Sequence, residues 1–379
     1  MGSERKLKIW VMTNEYEPKI VGGLGIVATQ LTRMLAKLGA NVTVLCPGNS
    51  DRLTISQTNG NLRILRFPKN SKYFNRTQHS FRAESILKSA LGKGELKPDL
   101  IHVHSTEFAD TAKVAGDRFK LPIVYTCHSL ASQGISSTPG KQQTALISFA
   151  NRVIVPSRWQ AKVTKGLYPR LNGKKLITIP HGVAPVPKGS SIGDPHKLLY
   201  VGRLIPSKGV EPLIKAVGLL AQDNSKVQLT IVGSGKASYR DKLRALAKQS
   251  GAAKRIHWAE KTPHKSVQRL YRSYGAVINP SKKESFCLVA LEAMANGVPL
   301  ISTTSGGMKE FVTRQNAKII HSIDSVHIAR AIKGFWNAPE QSRKRAIHAR
   351  ATAAQYKWPL IARRYLSLFS DLVQGRPEP

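Results

Sequence analysis

NPSKKESFCLVALEAMANGVPLIST, residues 279–303, is the stretch on which the fold turns. The apolar run that leads into it, GAVINPS, reads as a short buried strand, the segment around Glu284 as a loop, the segment that follows and carries Glu292 as a helix, and VPLISTT as the next strand. A strand, a helix and a strand joined by connections this short form a βαβ unit, and such units build parallel sheets with helices on their faces.

The same alternation continues in both directions. KLLYVGRL, VQLTIVG and RIHWAE read as strands separated by the helical patterns GVEPLIKAVGLLAQ and YRDKLRALAKQSG. Towards the N-terminus, LKIWVMT, NVTVLC, LIHVH, PIVYTC and RVIVPS alternate with helices in the same way. Between the two series, HGVAPVPKGSSIGDPHK (residues 181–197) is rich in proline and glycine and reads as a linker. The expected fold class is α/β, with two Rossmann-like, doubly wound domains over residues 1–185 and 186–355. A closing amphipathic helix within 356–379 is expected to cross back to the first domain. Open sheets of this kind bind ligands beyond the carboxyl ends of their strands, so a cleft between the two domains is the expected site.

A chain of 379 residues, 41% of them hydrophobic, is long enough for two cores. No run approaches the ~20 apolar residues that span a bilayer. MGSERKLKIW has charges but no signal-peptide apolar stretch, so a cytoplasmic protein is expected, with peripheral contact at the inner face of a membrane as the one variation. Cys46, Cys127 and Cys287 are scattered in apolar contexts, as reduced buried thiols would be.

The net charge of +37 is spread over both halves: residues 1–185 hold 27 Lys+Arg against 10 Asp+Glu, the remainder 32 against 12. Such a field attracts polyanions. The densest run comprises Arg63, Arg66, Lys69, Lys72, Arg76, Arg82, Lys88, Lys93 and Lys97, opposed by Glu84 and Glu95 alone. It suits an anionic acceptor or membrane surface, and equally a solvated basic face; no specific nucleic-acid partner is indicated.

Candidate site residues follow the strands. VGGLG, residues 21–25, lies between a strand and a helix, where Gly22, Gly23 and Gly25 let backbone amides approach an anion. VGRLIPSKG, residues 201–209, sets Arg203 and Lys208 on a turn after a strand, two cations suited to a diphosphate. In residues 279–303, Glu284 falls in the loop and Glu292 on the helix, whose first amides (Phe286, Cys287, Leu288) suit a phosphate, leaving the carboxylates to accept bonds from hydroxyls. His102 and His104 alternate on one strand, but with no third ligand indicated a cleft-edge polar pair is favoured over a metal site.

Taken together, VGGLG, TCHS around His128, VGRLIPSKG and the glutamate pair of ESFCLVALE followed by AMANGVP resemble the retaining GT-B glycosyltransferases, in particular family 4, with a glycogen-synthase-like flavour in EYEPKIVGGLG. The resemblance covers nearly the whole chain in order. It implies transfer of a sugar from a nucleotide-diphosphate sugar, a UDP-sugar by preference, to an acceptor. It assigns residues 1–185 to the acceptor side and 186–355 to the donor. Arg203 and Lys208 would bind the diphosphate, Glu284 the sugar hydroxyls and Glu292 the ribose, with His128 beside the transferred sugar. Gly22, Gly23, Gly25, Gly233, Ser285, Phe286, Cys287 and Leu288 would line the donor site, and Gly306, Gly307 and Glu310 of SGGMKEFV match the family's next loop. No Asp-x-Asp occurs, so no metal and no cofactor are expected. The chain departs from the family's pattern at His181 and Ala184 (PHGVA), and at Ser285 and Cys287, where glycines are frequent. HWAEKTP lacks a glycine often found near the base. Donor sugar and base therefore stay open, as do two other readings: another GT-B enzyme (a sugar phosphorylase or nucleotide-sugar epimerase) and a non-catalytic polyanion-binding or envelope protein.

Overall fold

The computed structural model describes residues 6–49, 54–58, 60–67, 97–184, 186, 193–223, 225–259 and 262–375. The chain divides into two compact units, Met1–Gly182 with Trp358–Pro379, and Val183–Lys357. Of the basic run, Arg63, Arg66 and Lys97 are described. Lys69, Lys72, Arg76, Arg82, Lys88 and Lys93, with Glu84 and Glu95, lie outside the described residues.

The sheet of the first unit contains β1 (Lys8–Met12), β2 (Asn41–Pro47), β3 (Thr54–Thr58), β4 (Leu62–Phe67), β5 (Leu100–Val103), β6 (Ile123–Thr126), β7 (Arg152–Val155) and β8 (Leu176–Thr178). Their order is β3-β4-β2-β1-β5-β6-β7-β8, parallel except for β3 against β4. β5 and β6 are buried at every position, as strands covered on both faces must be. The helix Gly23–Lys37 buries Val27, Ala28, Leu31 and Leu35, one apolar stripe at helical spacing. The final helix, Trp358–Gln374, packs on Gly23–Lys37 and buries Ile361, Tyr365 and Phe369, the last two against His102. A Cβ at Gly182 would come within 2.4 Å of the Trp358 ring, so the chain passes that indole only as glycine.

The second unit is a six-stranded parallel sheet of β9 (Lys197–Val201), β10 (Gln228–Val232), β11 (Ile256–Ala259), β12 (Ala276–Asn279), β13 (Leu300–Ser302) and β14 (Lys318–Ile319), ordered β11-β10-β9-β12-β13-β14. Leu213, Ile214 and Val217 of the helix Val210–Gln222 and Ile328, Ile332 and Phe335 of the helix Ser325–Trp336 share its core.

Each sheet has one point where the winding reverses. In the first unit the chain moves outward from β1 to β2 and then returns to β5 on the other side of β1; in the second it moves from β9 out to β11 and returns to β12. At such a point the loops leaving two adjacent strands diverge and open a crevice at their carboxyl ends. The loops after β9 and β12 carry Arg203, Lys208 and Glu284; those after β1 and β5 carry Gly22 and His104, while Gly23 and Gly25, expected in the loop, lie in the first turn of the helix Gly23–Lys37.

Candidate active site

In the second unit the two switch-point loops are fastened together. Lys208 Nζ donates to Glu284 Oε1 at 2.5 Å, both side chains being largely buried, and the Lys282 amide donates to the Ser207 carbonyl at 2.9 Å. Gly209 has φ +69°, and a Cβ there would stand 2.1 Å from the Pro280 carbonyl oxygen, so the turn that ends in Lys208 closes against the β12 exit only because residue 209 is glycine. The Gly307 amide donates to the Glu284 carbonyl at 2.8 Å. Gly306, with φ +62°, would put a Cβ 2.0 Å from that same oxygen. Arg203 is exposed. Gly233 packs backbone to backbone on Gly202, where a Cβ would stand 1.9 Å from the Gly202 carbonyl oxygen.

Beneath the Glu284 loop lies a buried polar network. Asn279, the last residue of β12, donates to Ser302 Oγ at 3.2 Å and Cys287 Sγ at 3.5 Å, and receives a bond from Ser281 Oγ at 2.9 Å. Ser305 and Thr303 hydroxyls both donate to the Ser281 carbonyl. Every member is satisfied within the network, which rigidifies the loop. The helix starts at Leu288, with Cys287 as its N-cap in a left-handed conformation, φ 81° and ψ 81°. Burial first, then the Glu284 carboxylate, pushes the Cys287 thiol far above its ordinary pKa, so it stays protonated.

Glu292 differs from the expectation of a carboxylate left over for hydroxyls. Tyr271 Oη donates to its Oε2 at 2.7 Å, and His264 Nε2 lies 2.6 Å from Oε1. Gln268 in turn reaches His264 Nε2 at 3.1 Å and accepts from Asn296 at 3.3 Å. A carboxylate has about four lone-pair sites, so room for a further donor remains, but its orientation is fixed by these neighbours. Burial and the adjacent Glu292 charge hold the Tyr271 phenol well above its usual range.

In the first unit the glycine loop already holds an anion. Glu15 Oε2 accepts from the amides of both Val21 and Gly22 at 2.8 Å, and a Cβ at Gly25 would come within 2.9 Å of that oxygen. Those two amides, expected from the sequence to face an outside anion, serve an internal carboxylate that sets the shape of the loop before the helix Gly23–Lys37. Across the switch point the Asn14 amide donates to Ser105 Oγ at 2.9 Å, tying the β1 and β5 loops.

His128 follows β6 and belongs to a group the sequence only half reveals. His104 Nδ1 lies 2.9 Å from His128 Nε2 with the two ring planes 28° apart, His102 and His104 rings are 4.2 Å apart, and His181 lies against His128 at 5.2 Å. His102 Nε2 bonds Thr126 Oγ1 at 2.7 Å. Burial depresses His102 and His128 to about 3, and places His104 and His181 well below the ordinary range, so the cluster is neutral. Among the described residues no group of three or more His, Cys, Asp or Glu is arranged to hold a metal ion. All three cysteines are free and buried, and no helix among the described residues is long and apolar enough to cross a membrane.

Two Rossmann-like sheets, each with polar loops at its winding reversal, define a protein of the GT-B type. Residues 21–186 match the model of glycosyltransferase family 4, and residues 186–352 match that of glycosyl transferases group 1. A glycosyltransferase of Methanocaldococcus jannaschii is 30% identical over 332 residues, covering 82% of this chain and 83% of its own. Glycogen synthase of Mycobacterium tuberculosis is 26% identical over 404 residues, covering 98% of this chain and 97% of its own. Among solved structures, sucrose-phosphate synthase of Thermosynechococcus elongatus superposes with a TM-score of 0.79 at 21% identity, covering 98% of this chain and 100% of that one. Anabaena HepE, in complex with UDP and glucose, does so at 0.77 and 18% identity, covering 96% and 99%. The chain belongs to the group 1, family 4 glycosyltransferases, and it is a glycosyltransferase with the GT-B fold.

Proposed function

We propose that the enzyme transfers a sugar from a nucleotide-diphosphate sugar, a UDP-sugar by preference, to an acceptor hydroxyl with retention of configuration and without a metal ion. The observation that carries this reading is the pairing of Lys208 with Glu284 at the β9/β12 switch point, which brings a cation for the diphosphate and a carboxylate for sugar hydroxyls to one spot. As the sugar–phosphate bond breaks, positive charge grows on the sugar ring and negative charge on the leaving nucleoside diphosphate. Cations at Arg203 and Lys208 would lower that barrier. The acceptor oxygen bonds to the anomeric carbon on the face the phosphate leaves, and its proton passes to the leaving phosphate oxygen, so no protein base is required. Glu292 would take the ribose, His128 would lie beside the sugar, and Ser285 to Leu288 would border the diphosphate.

The absence of any Asp-x-Asp in the sequence supports metal-free leaving-group stabilisation. The test is a thermal-shift and hydrolysis panel of UDP-, GDP- and ADP-sugars, with and without EDTA. Stabilisation and turnover with one nucleotide series, unchanged by EDTA, are expected; a requirement for divalent metal would overturn the metal-free part, and silence towards every nucleotide sugar the whole.

A second reading concerns the partner. From Arg118 to Gly193 the chain has no aspartate or glutamate, and the helix Arg158–Leu167 sets Arg158, Lys162 and Lys165 at helical spacing, all exposed. A basic helix within a segment of sequence free of carboxylates suits an anionic acceptor or a negatively charged surface, in the cytoplasm or at the inner face of a membrane. Sedimentation with phosphatidylglycerol vesicles, weakening as salt rises, is expected; equal binding to phosphatidylcholine vesicles would remove the electrostatic basis.

A further inference from the structure

In the second unit, the chain between β11 and β12 is the crossover that returns from the sheet edge to the strand beside β9. It carries the helix His264–Leu270 and the short turn Tyr271–Ser273, and from these two elements it grips one carboxylate. Tyr271 Oη donates to Glu292 Oε2 at 2.7 Å, and His264 Nε2 lies 2.6 Å from Glu292 Oε1. Glu292 belongs to the buried helix Leu288–Asn296 and is itself 5% exposed. Each carboxylate oxygen has two lone-pair sites, so with one protein partner apiece each keeps one. Among the described residues no further donor fills them. Two open acceptors on one nearly buried carboxylate suit two neighbouring hydroxyls, which a ribose offers at its 2′ and 3′ positions and a 2′-deoxyribose does not. Tyr271 is 0% exposed, so it touches no ligand and acts only through Glu292.

We propose that Tyr271 is a positioning residue, with His264 as its counterpart on the other oxygen, that turns the Glu292 carboxylate towards both hydroxyls of the donor ribose and so sets a preference for ribonucleotides over 2′-deoxyribonucleotides. This rests on the reading that Glu292 takes the ribose. A glutamate side chain has three rotatable bonds, and a carboxylate held by one oxygen alone pivots about that contact. Held at both oxygens from two separate elements, its plane is fixed before the nucleotide arrives, which is what recognition of a pair of hydroxyls requires. Asn296 braces the same arrangement: its Nδ2 donates to the Glu292 carbonyl at 2.9 Å and to Gln268 Oε1 at 3.3 Å, joining the helix to the crossover a second time.

The test is isothermal titration calorimetry of the full-length chain with UDP and 2′-deoxy-UDP, and with the corresponding GDP and ADP pairs. The wild type is expected to bind the ribonucleotide of one pair roughly tenfold or more tightly than its deoxy partner, as the loss of a hydrogen bond to a charged acceptor implies. Tyr271→Phe keeps the ring and removes the hydroxyl. It should narrow that ratio to within about threefold, chiefly by weakening the ribonucleotide. His264→Leu should narrow it likewise and serves as the second variant should the phenylalanine one fold poorly. A merely structural role would weaken both nucleotides alike and keep the ratio. Tyr271→Phe with the wild-type ratio, or His264→Leu with it where the first variant does not fold, overturns the proposal. Equal binding of both nucleotides by the wild type, no binding of any pair, or a ratio that survives Glu292→Gln undiminished removes instead the reading of Glu292 on which it rests.

Discussion

At the scale of a residue, Cys287 occupies a conformation that glycine adopts more readily. The backbone there has φ 81°, a left-handed conformation in which a Cβ crowds the following carbonyl. Such strain persists only where surroundings over-determine it. Here the Asn279 bond to Sγ and the burial of the thiol offset it. Cys287→Ala loses the sulfur and keeps the strain, whereas Cys287→Gly loses the sulfur and relieves the strain. The glycine variant should therefore be more stable than the alanine variant by about 1 kcal/mol, the reverse of their order inside a helix. Urea denaturation of the two proteins measures this directly, and an alanine variant equal to or more stable than the glycine variant would mean that the position is not strained. The thiol itself, held protonated by burial, should react with alkylating reagents only on unfolding.

At the scale of elements, legibility followed burial. Strands β5, β6, β7, β9, β10, β12 and β13 are apolar runs covered by helices, and their sequences announce them. The strands that went unread lie mainly at sheet margins: β3, whose Thr54, Ile55 and Ser56 are exposed, β8, half-buried throughout, and the two-residue β14. An edge strand buries less, so its composition carries less signal. β4 is different, since it pairs with β2 inside the sheet. Its Leu62, Ile64 and Leu65 are buried while Arg63 and Arg66 are not, and the arginines drew it into a basic patch. The loop motifs were legible because Lys208 and Glu284 fall at strand ends. What each residue touches was not, because spacing along the chain says little about partners far away in it. Tyr271 and His264 on Glu292, Gly306 against Glu284, and His104 against His128 all join separate loops or helices. Glu15 could have been found, since it precedes the amides it caps by six and seven residues in EYEPKIVGGLG.

At the scale of the molecule, the four histidines that burial holds well below the ordinary range, His102, His104, His128 and His181, all belong to Met1–Gly182. In the unfolded chain each takes a proton near pH 6.5, whereas in the folded unit His102 and His128 resist protonation down to about 3. Between those values the unfolded state binds more protons, so stability rises with pH across the window and is lost as pH falls from about 6.5 towards 3. Carboxylates barely titrate between pH 7 and 5, so histidines dominate that interval. At pH 5 each histidine held neutral costs on the order of 2 kcal/mol relative to neutrality, so His102 and His128 alone should lower the unfolding temperature of a unit of this size by roughly 10 °C, with His104 and His181 adding to the loss. Scanning calorimetry of the whole chain at pH 7 and 5 measures the shift, and hydrogen exchange read by mass spectrometry assigns it. Loss of protection at pH 5 should fall on β5, β6 and the helix Trp358–Gln374, where Tyr365 and Phe369 cover His102. Unchanged transition temperatures, or a loss confined to Val183–Lys357, would mean that the cluster is protonated at little cost and that its burial does not govern the acid stability of the enzyme.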